Sequence, residues 1–172
     1  MLINKTIHLR LLGSVLPKDI KKGVTIGITV LFPVIIGIQF YYNPLGNVLP
    51  ICTAVGLKLI YFITYGFRPI HYQVLEDILI IHRPIADVKI EPSEIKSVEV
   101  LEKEMLQSII RVFGVGGLFG YYGKFANTKM GMMTWYATRR DKAVLIITTT
   151  GKKIILTPDE PEKFIEYCMC LN

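Results

Sequence analysis

The chain has 172 residues, 51% hydrophobic and only 20% charged, with a mean hydropathy of +0.43. Soluble domains carry about 25% charged residues, so composition argues against a wholly soluble protein. Twenty Lys and Arg against fourteen Asp and Glu leave a formal net charge of +6, and most of that excess is local. Residues 1–23 hold Lys5, Arg10, Lys18, Lys21 and Lys22 against Asp19, residues 24–67 hold only Lys58, and residues 68–172 are nearly balanced. A short basic segment in place of a broad basic face weakens the case for a nucleic-acid-binding domain, and no nucleic acid is expected as a partner. The length allows one domain of about 100 residues plus something smaller.

The segment 1–23 reads as a basic cytoplasmic N-terminal stretch. From Val24 to Phe67 the sequence carries one charge. A spanning helix needs about 20 apolar residues, so this stretch has room for two spans and a turn, placed at 24–42 and 48–67 with an extracytoplasmic turn at 43–47. Asn43, Pro44, Gly46 and Asn47 supply turn chemistry. About 105 remaining residues could not cover two such helices on all sides, which disfavours a buried soluble hairpin. Lys18, Lys21 and Lys22 precede the first span and Arg68 follows the second, while the connecting turn is uncharged. The positive-inside rule then puts both termini, and everything from residue 68 onward, on the cytoplasmic side of the cell membrane. Tyr41, Tyr42, Tyr61, Phe62, Tyr65 and Phe67 cluster toward span ends, where amphipathic rings favour the headgroup level. With no small-residue cleavage site after the first apolar stretch, the pair reads as an anchor and not a signal peptide.

Lys58 lies near the middle of the second span, where a charge costs about 2.5–3.5 kcal/mol. Two readings stay open: a contact for an anionic lipid or for a carboxylate on another chain, or a shifted register with the long stem snorkelling to an interface. The second requires less.

After Pro69 the pattern changes to short β-branched and aromatic runs separated by turn residues, as in an antiparallel sandwich or barrel. Strands are expected at Ile70–Leu75, Ile78–Arg83, Val88–Ile90, Ile95–Leu101, Thr134–Thr138, Ala143–Thr149 and Lys153–Thr157. Asp141-Lys142 and Thr150-Gly151 suit hairpin turns. The tail from Thr157 reads as a helix capped by Thr157 or Asp159, with Glu160 among the acids at its start and Phe164, Ile165 and Cys168 forming an apolar stripe. The fold class is thus a two-helix transmembrane hairpin followed by a mainly β domain of about seven strands, 68–172, closed by a C-terminal helix.

The string RVFGVGGLFGYYGKF, with YATRRD and TPDEPEKF after it, resembles the bacterial PH-like (pleckstrin homology-like) domain family of small membrane-anchored proteins. The matching positions are Arg111, Gly114, Gly117, Phe119, Gly120, Gly123 and Phe125, then Tyr136, Thr138, Thr157, Pro158, Pro161 and Phe164, and the likeness covers about 70–170. It implies a seven-stranded sandwich or barrel with a C-terminal helix, commonly preceded by a pair of transmembrane helices, and it implies a fold more firmly than a function. Phosphoinositide-binding PH domains use a basic turn after their first strand. The corresponding turn here, Leu75-Glu76-Asp77-Ile78, is acidic, so that site does not transfer.

Charge within the domain is polarised. Residues 76–104 hold eight acids and four bases, whereas 111–153 hold eight bases and only Asp141. The basic stretch also carries Phe113, Phe119, Tyr121, Tyr122, Phe125, Trp135 and Tyr136. With Lys21, Lys22 and Arg68, the residues Lys124, Lys129, Trp135, Arg139 and Arg140 are candidates for contact with anionic headgroups, at about 1 kcal/mol per base. The alternative is that half the aromatic rings pack in the core and the bases are merely solvated.

Gly114 and Gly116 begin a GxG, but Phe119 stands where a dinucleotide fingerprint needs glycine, and no Walker lysine follows. The glycines read as turns or bulges in a long excursion between strands. His8, His71 and His82 lack partners at metal-ligand or triad spacing. Cys168 and Cys170 fall on different helix faces, and with Cys52 they read as reduced thiols. No cofactor and no catalysis are expected. The leading expectation is a membrane-tethered interaction module with the bilayer and a protein as partners, homo-oligomerisation being left open. A lipid-binding or lipid-handling protein is the alternative, and a channel or transporter subunit a weaker one.

Overall fold

The computed structural model describes residues 18–42, 48–75 and 78–169. The expected turns at 43–47 and at Glu76-Asp77, residues 1–17, and Cys170 lie outside the described residues.

Two helices open the chain, α1 (Lys18–Tyr42) and α2 (Val48–Gly66). Helix α1 begins six residues before the expected span because Lys18 to Gly23 continue the same helix beyond its apolar part, and counting apolar residues finds the span and not the helix end. Both helices are long and apolar enough to cross a membrane, with 0% of one apolar window and 11% of the other buried within the molecule. Their apolar side chains, such as Leu31, Val48 and Phe62, stand open. The other described residues therefore do not cover these helices.

Among the described residues nine strands follow, in two sheets. The smaller sheet is the antiparallel meander β1 (His71–Leu75), β2 (Ile78–His82) and β3 (Val88–Ile90). The larger contains β4 (Ile95–Leu101), β5 (Ile110–Gly116), β6 (Tyr121–Asn127), β7 (Gly131–Ala137), β8 (Ala143–Thr148) and β9 (Lys153–Leu156), in the order β4-β8-β9-β7-β6-β5. Helix α3 (Pro161–Met169) closes the domain.

Strand alternation builds two cores. On β8, Val144 and Ile146 face the small sheet together with Ile154, Leu156 and Phe164 and Cys168 of α3. Ala143 and Leu145 point the other way, toward Phe125, Met133, Trp135 and Ile155. That second face is covered by the segment around Met105 and Leu106, fastened by Asn127 Nδ2, which donates to the carbonyls of Met105 (2.9 Å) and Gln107 (3.1 Å).

Several expectations are corrected. The glycine-rich segment is not an excursion between strands: it forms β5 and β6, whose Gly114 and Gly123 face each other in register. A Cβ on Gly114 would lie 2.3 Å from the Tyr122 carbonyl oxygen, and one on Gly123 2.4 Å from that of Phe113, so the two strands approach only because both positions lack side chains. The sheet is not wholly antiparallel, since β7 runs parallel to β9, and Asp141-Lys142 connects two strands that are not neighbours. Thr150-Gly151 does make a hairpin turn, with the Gly151 N–H donating to Thr148 O at 2.8 Å. Neither Thr157 nor Asp159 caps α3. The Thr157 hydroxyl accepts from the Thr138 N–H (3.0 Å), Asp159 binds Arg139, and the first helical bond runs from Phe164 N–H to Glu160 O (3.0 Å).

Candidate functional site

The last four carbonyls of a helix have no partner within it. At the C-terminus of α2 the domain supplies partners for two of them. Tyr122 Oη donates to Thr64 O, and the Ile85 N–H donates to Gly66 O at 3.1 Å. Burial holds the Tyr122 phenol well above its ordinary pKa, with the bond to Thr64 and the charge of Arg68 opposing, so the donor keeps its proton. Beside this bond, the tight turn between β5 and β6 presents Phe119, whose backbone sits in the left-handed region at φ +60°. Its ring packs edge-on between Tyr61 (5.2 Å) and Tyr65 (5.5 Å). A non-glycine residue in that region costs on the order of 1–3 kcal/mol and persists where its surroundings impose it. Arg68, just past α2, stacks over Tyr65 at 4.1 Å, where a cation also favours the helix C-terminus.

This joint forms one wall of a groove of about 1030 Å³, bounded by α2, β3 and the faces of β6 and β7. Ile60, Ile63 and Phe67 line it from α2, and Arg83, Lys89, Lys124 and Lys152 bring positive charge from four separate segments. Among the described residues Glu94 is its single lining carboxylate. The Arg83 guanidinium lies over the rings of Phe67 (5.4 Å) and Tyr136 (5.6 Å), and Lys124 Nζ donates to the neutral Thr134 hydroxyl at 2.8 Å.

The sequence-derived candidates separate. Lys124 lines the groove, whereas Arg68 stacks over Tyr65 and Phe119 beside the α2 joint and is not among the groove's lining residues. Lys129 is exposed in the turn before β7, and Arg140 lies 4.9 Å above the Tyr121 ring. Lys21 and Lys22 fall in the first turns of α1. Trp135 and Arg139 are corrected as surface contacts. Trp135 is 0% exposed, packed 5.1 Å from Phe125 because alternation along β7 turns it inward. Arg139 is 6% exposed and joins the β7–β8 connection to the start of α3, pairing with Asp159 at 3.2 Å and donating to Pro158 O at 2.8 Å. Lys89, Lys152 and Arg83 were missed because they are distant in sequence and two lie in the acidic half.

The family-motif residues fall on the turn, the core and the groove, where Gly114, Gly123 and Tyr136 are lining residues. Gly117 N–H donates to Gly120 O at 2.8 Å to close the β5–β6 turn, Phe125 and Phe164 are core, and Tyr136 O accepts from Tyr72 Oη at 2.5 Å. Arg111 lies on β5 with its side chain over Gly116.

A two-sheet sandwich of this topology, closed by a C-terminal helix and preceded by two apolar helices, defines a PH-like module, a class that is generally non-catalytic. A family model described as Bacterial PH domain matches residues 70–170, and the chain belongs to that family. Comparisons with curated proteins and with solved structures returned no match.

Proposed function

We propose that this protein is a non-catalytic, membrane-tethered PH-like module that holds a protein partner at the inner face of the cell membrane, with both termini cytoplasmic. Tethering is supported by the open apolar faces of α1 and α2, and the orientation by Lys21, Lys22 and Arg68 beside the spans. The observation that carries the interaction is β5. It ends the larger sheet, and Ile110 (66%), Val112 (57%) and Phe113 (78%) are all exposed. An apolar edge strand is a template for another strand, and a partner adding an extended segment would gain main-chain hydrogen bonds and apolar contacts together.

The test is a photo-cross-linking residue at Val112 in the full chain, in native membranes, compared with one at Lys142. A discrete protein adduct from position 112 alone is expected. Adducts to lipid only, or equal adducts from both positions, overturn the interaction reading. A chain-to-chain adduct replaces the foreign partner by a second copy. Protease shaving of right-side-out and inverted vesicles reads the orientation independently, and a domain digested in right-side-out preparations reverses it.

A further inference from the structure

The groove beside α2 has two chemically different ends, and the strand registers give its direction. Tyr122 pairs with Tyr136 at the α2 end, and two residues further along the same strands Lys124 pairs with Thr134, which is in register with Ile154 of β9. On the opposite wall, β3 leads from Val88 near Arg83 to Ile90 and then to Glu94, whose carbonyl accepts from Thr149 in the β8–β9 turn. The groove therefore runs from the apolar residues of α2 past Lys89 on β3 toward Lys124 and, in the β8–β9 turn, Lys152. Four lining bases against Glu94 leave a net +3. Glu94 is already engaged, since its Oε2 accepts from the Glu91 N–H at 3.3 Å.

The anchor fixes the height of this axis. Nineteen residues of α2 extend about 28 Å at ~1.5 Å per residue, close to the ~30 Å hydrocarbon core. Thr64 and Phe119 join α2 to the domain in its last two turns, so on the membrane-tethered reading the α2 end of the groove stands at the acyl boundary. The volume stands at the top of the range of about 300–1,000 Å³ for small-ligand sites. A free anion would need only the lysine end, and an apolar ligand only the helix end.

We propose that this groove binds one anionic phospholipid of the adjoining leaflet, with its phosphate among Lys89, Lys124 and Lys152 and an acyl chain along Ile60, Ile63 and Phe67. The inference rests on the membrane-tethered reading but not on the protein-partner reading.

The experiment uses the full chain in detergent micelles, titrated with phosphatidylglycerol or with phosphatidylcholine of the same acyl chains and read by native mass spectrometry. One phosphatidylglycerol per chain is expected, bound at least tenfold more tightly than phosphatidylcholine. The triple variant Lys89→Ala, Lys124→Ala, Lys152→Ala should lose that preference by tenfold or more, and Ile63→Trp should weaken both lipids by filling the apolar end. Lys96→Ala with Lys142→Ala, exposed elsewhere, should change neither. Circular dichroism checks folding, and the single variant Lys152→Glu gives the same reading if the triple variant does not fold. Equal binding of the two lipids, a preference that survives the triple variant, displacement by glycerol phosphate at equal concentration, or an acidic peptide co-purifying in the groove overturns the proposal. A chain that stays soluble without detergent overturns tethering itself, an outcome distinct from the others.

Discussion

The phenol of Tyr122 on β6 donates to the main-chain carbonyl of Thr64 in the last turn of α2, which makes a helix end and a sheet face one unit. The last four carbonyls of a helix have no partner within it and must find one in side chains, other backbone or water. Here a buried tyrosine and the Ile85 N–H take two of them, and the domain's attitude to α2 is set by hydrogen bonds as well as by packing.

Tyr122→Phe keeps the ring and deletes the donor, leaving the Thr64 carbonyl buried without its partner. A loss of about 1–3 kcal/mol is expected, read as a lower Tm of the full chain in detergent. Cleavage near Arg68 by limited proteolysis should accelerate as well. An unchanged cleavage rate would mean that the Phe119 contacts alone hold the joint.

Gly123→Ala should destabilise more than a typical strand substitution. The position has φ +121°, and its Cβ would lie 2.7 Å from Gly114 Cα. The backbone conformation alone costs on the order of 1–3 kcal/mol for an L side chain. The displaced β6 carries Tyr122, so faster cleavage at the joint should accompany the fall in Tm. A variant that lowers Tm without loosening the joint would contradict this coupling.

Asp159→Ala should cost about 1–3 kcal/mol, the loss expected when a half-buried charged hydrogen-bond partner is removed from the buried Arg139. Arg139 would keep Pro158 O at 2.8 Å and the more distant Asp141 at 3.6 Å. Replacing both partners, Arg139→Met with Asp159→Ala, should recover part of the loss, and thermal unfolding of the two variants tests this.

Mild acid should loosen the small sheet. His71 stacks on His82 at 4.3 Å, and His82 contacts Gln73 (2.9 Å) and Asp87 (3.0 Å). Partial burial, then the neighbouring His82, hold the His71 pKa below its ordinary 6.5, with Asp87 opposing. A depressed folded-state value means that the stabilisation is complete above the unfolded value and is lost as pH falls through the folded one. Tm should therefore decline as pH falls below about 6.5. His71→Gln should flatten that slope, and an unchanged slope would assign the titration to another group.

By itself the sequence determined whatever depends on local composition and period. The apolar, nearly uncharged stretch from Val24 to Phe67 defined two spanning-length helices, and β-branched alternation located β1 to β4, β8 and β9 within a residue or so of their ends. It could not determine β5 and β6. Glycine carries no period-2 signal, and the reason for Gly114 and Gly123 is each other's backbone across the sheet. Nor could it distinguish Trp135 and Arg139 from Arg140, because burial depends on which strand lies alongside. The groove belongs wholly to the tertiary structure: Arg83, Lys89, Lys124 and Lys152 lie in segments up to about 70 residues apart, and only the closure of the two sheets against α2 brings their charges to one place.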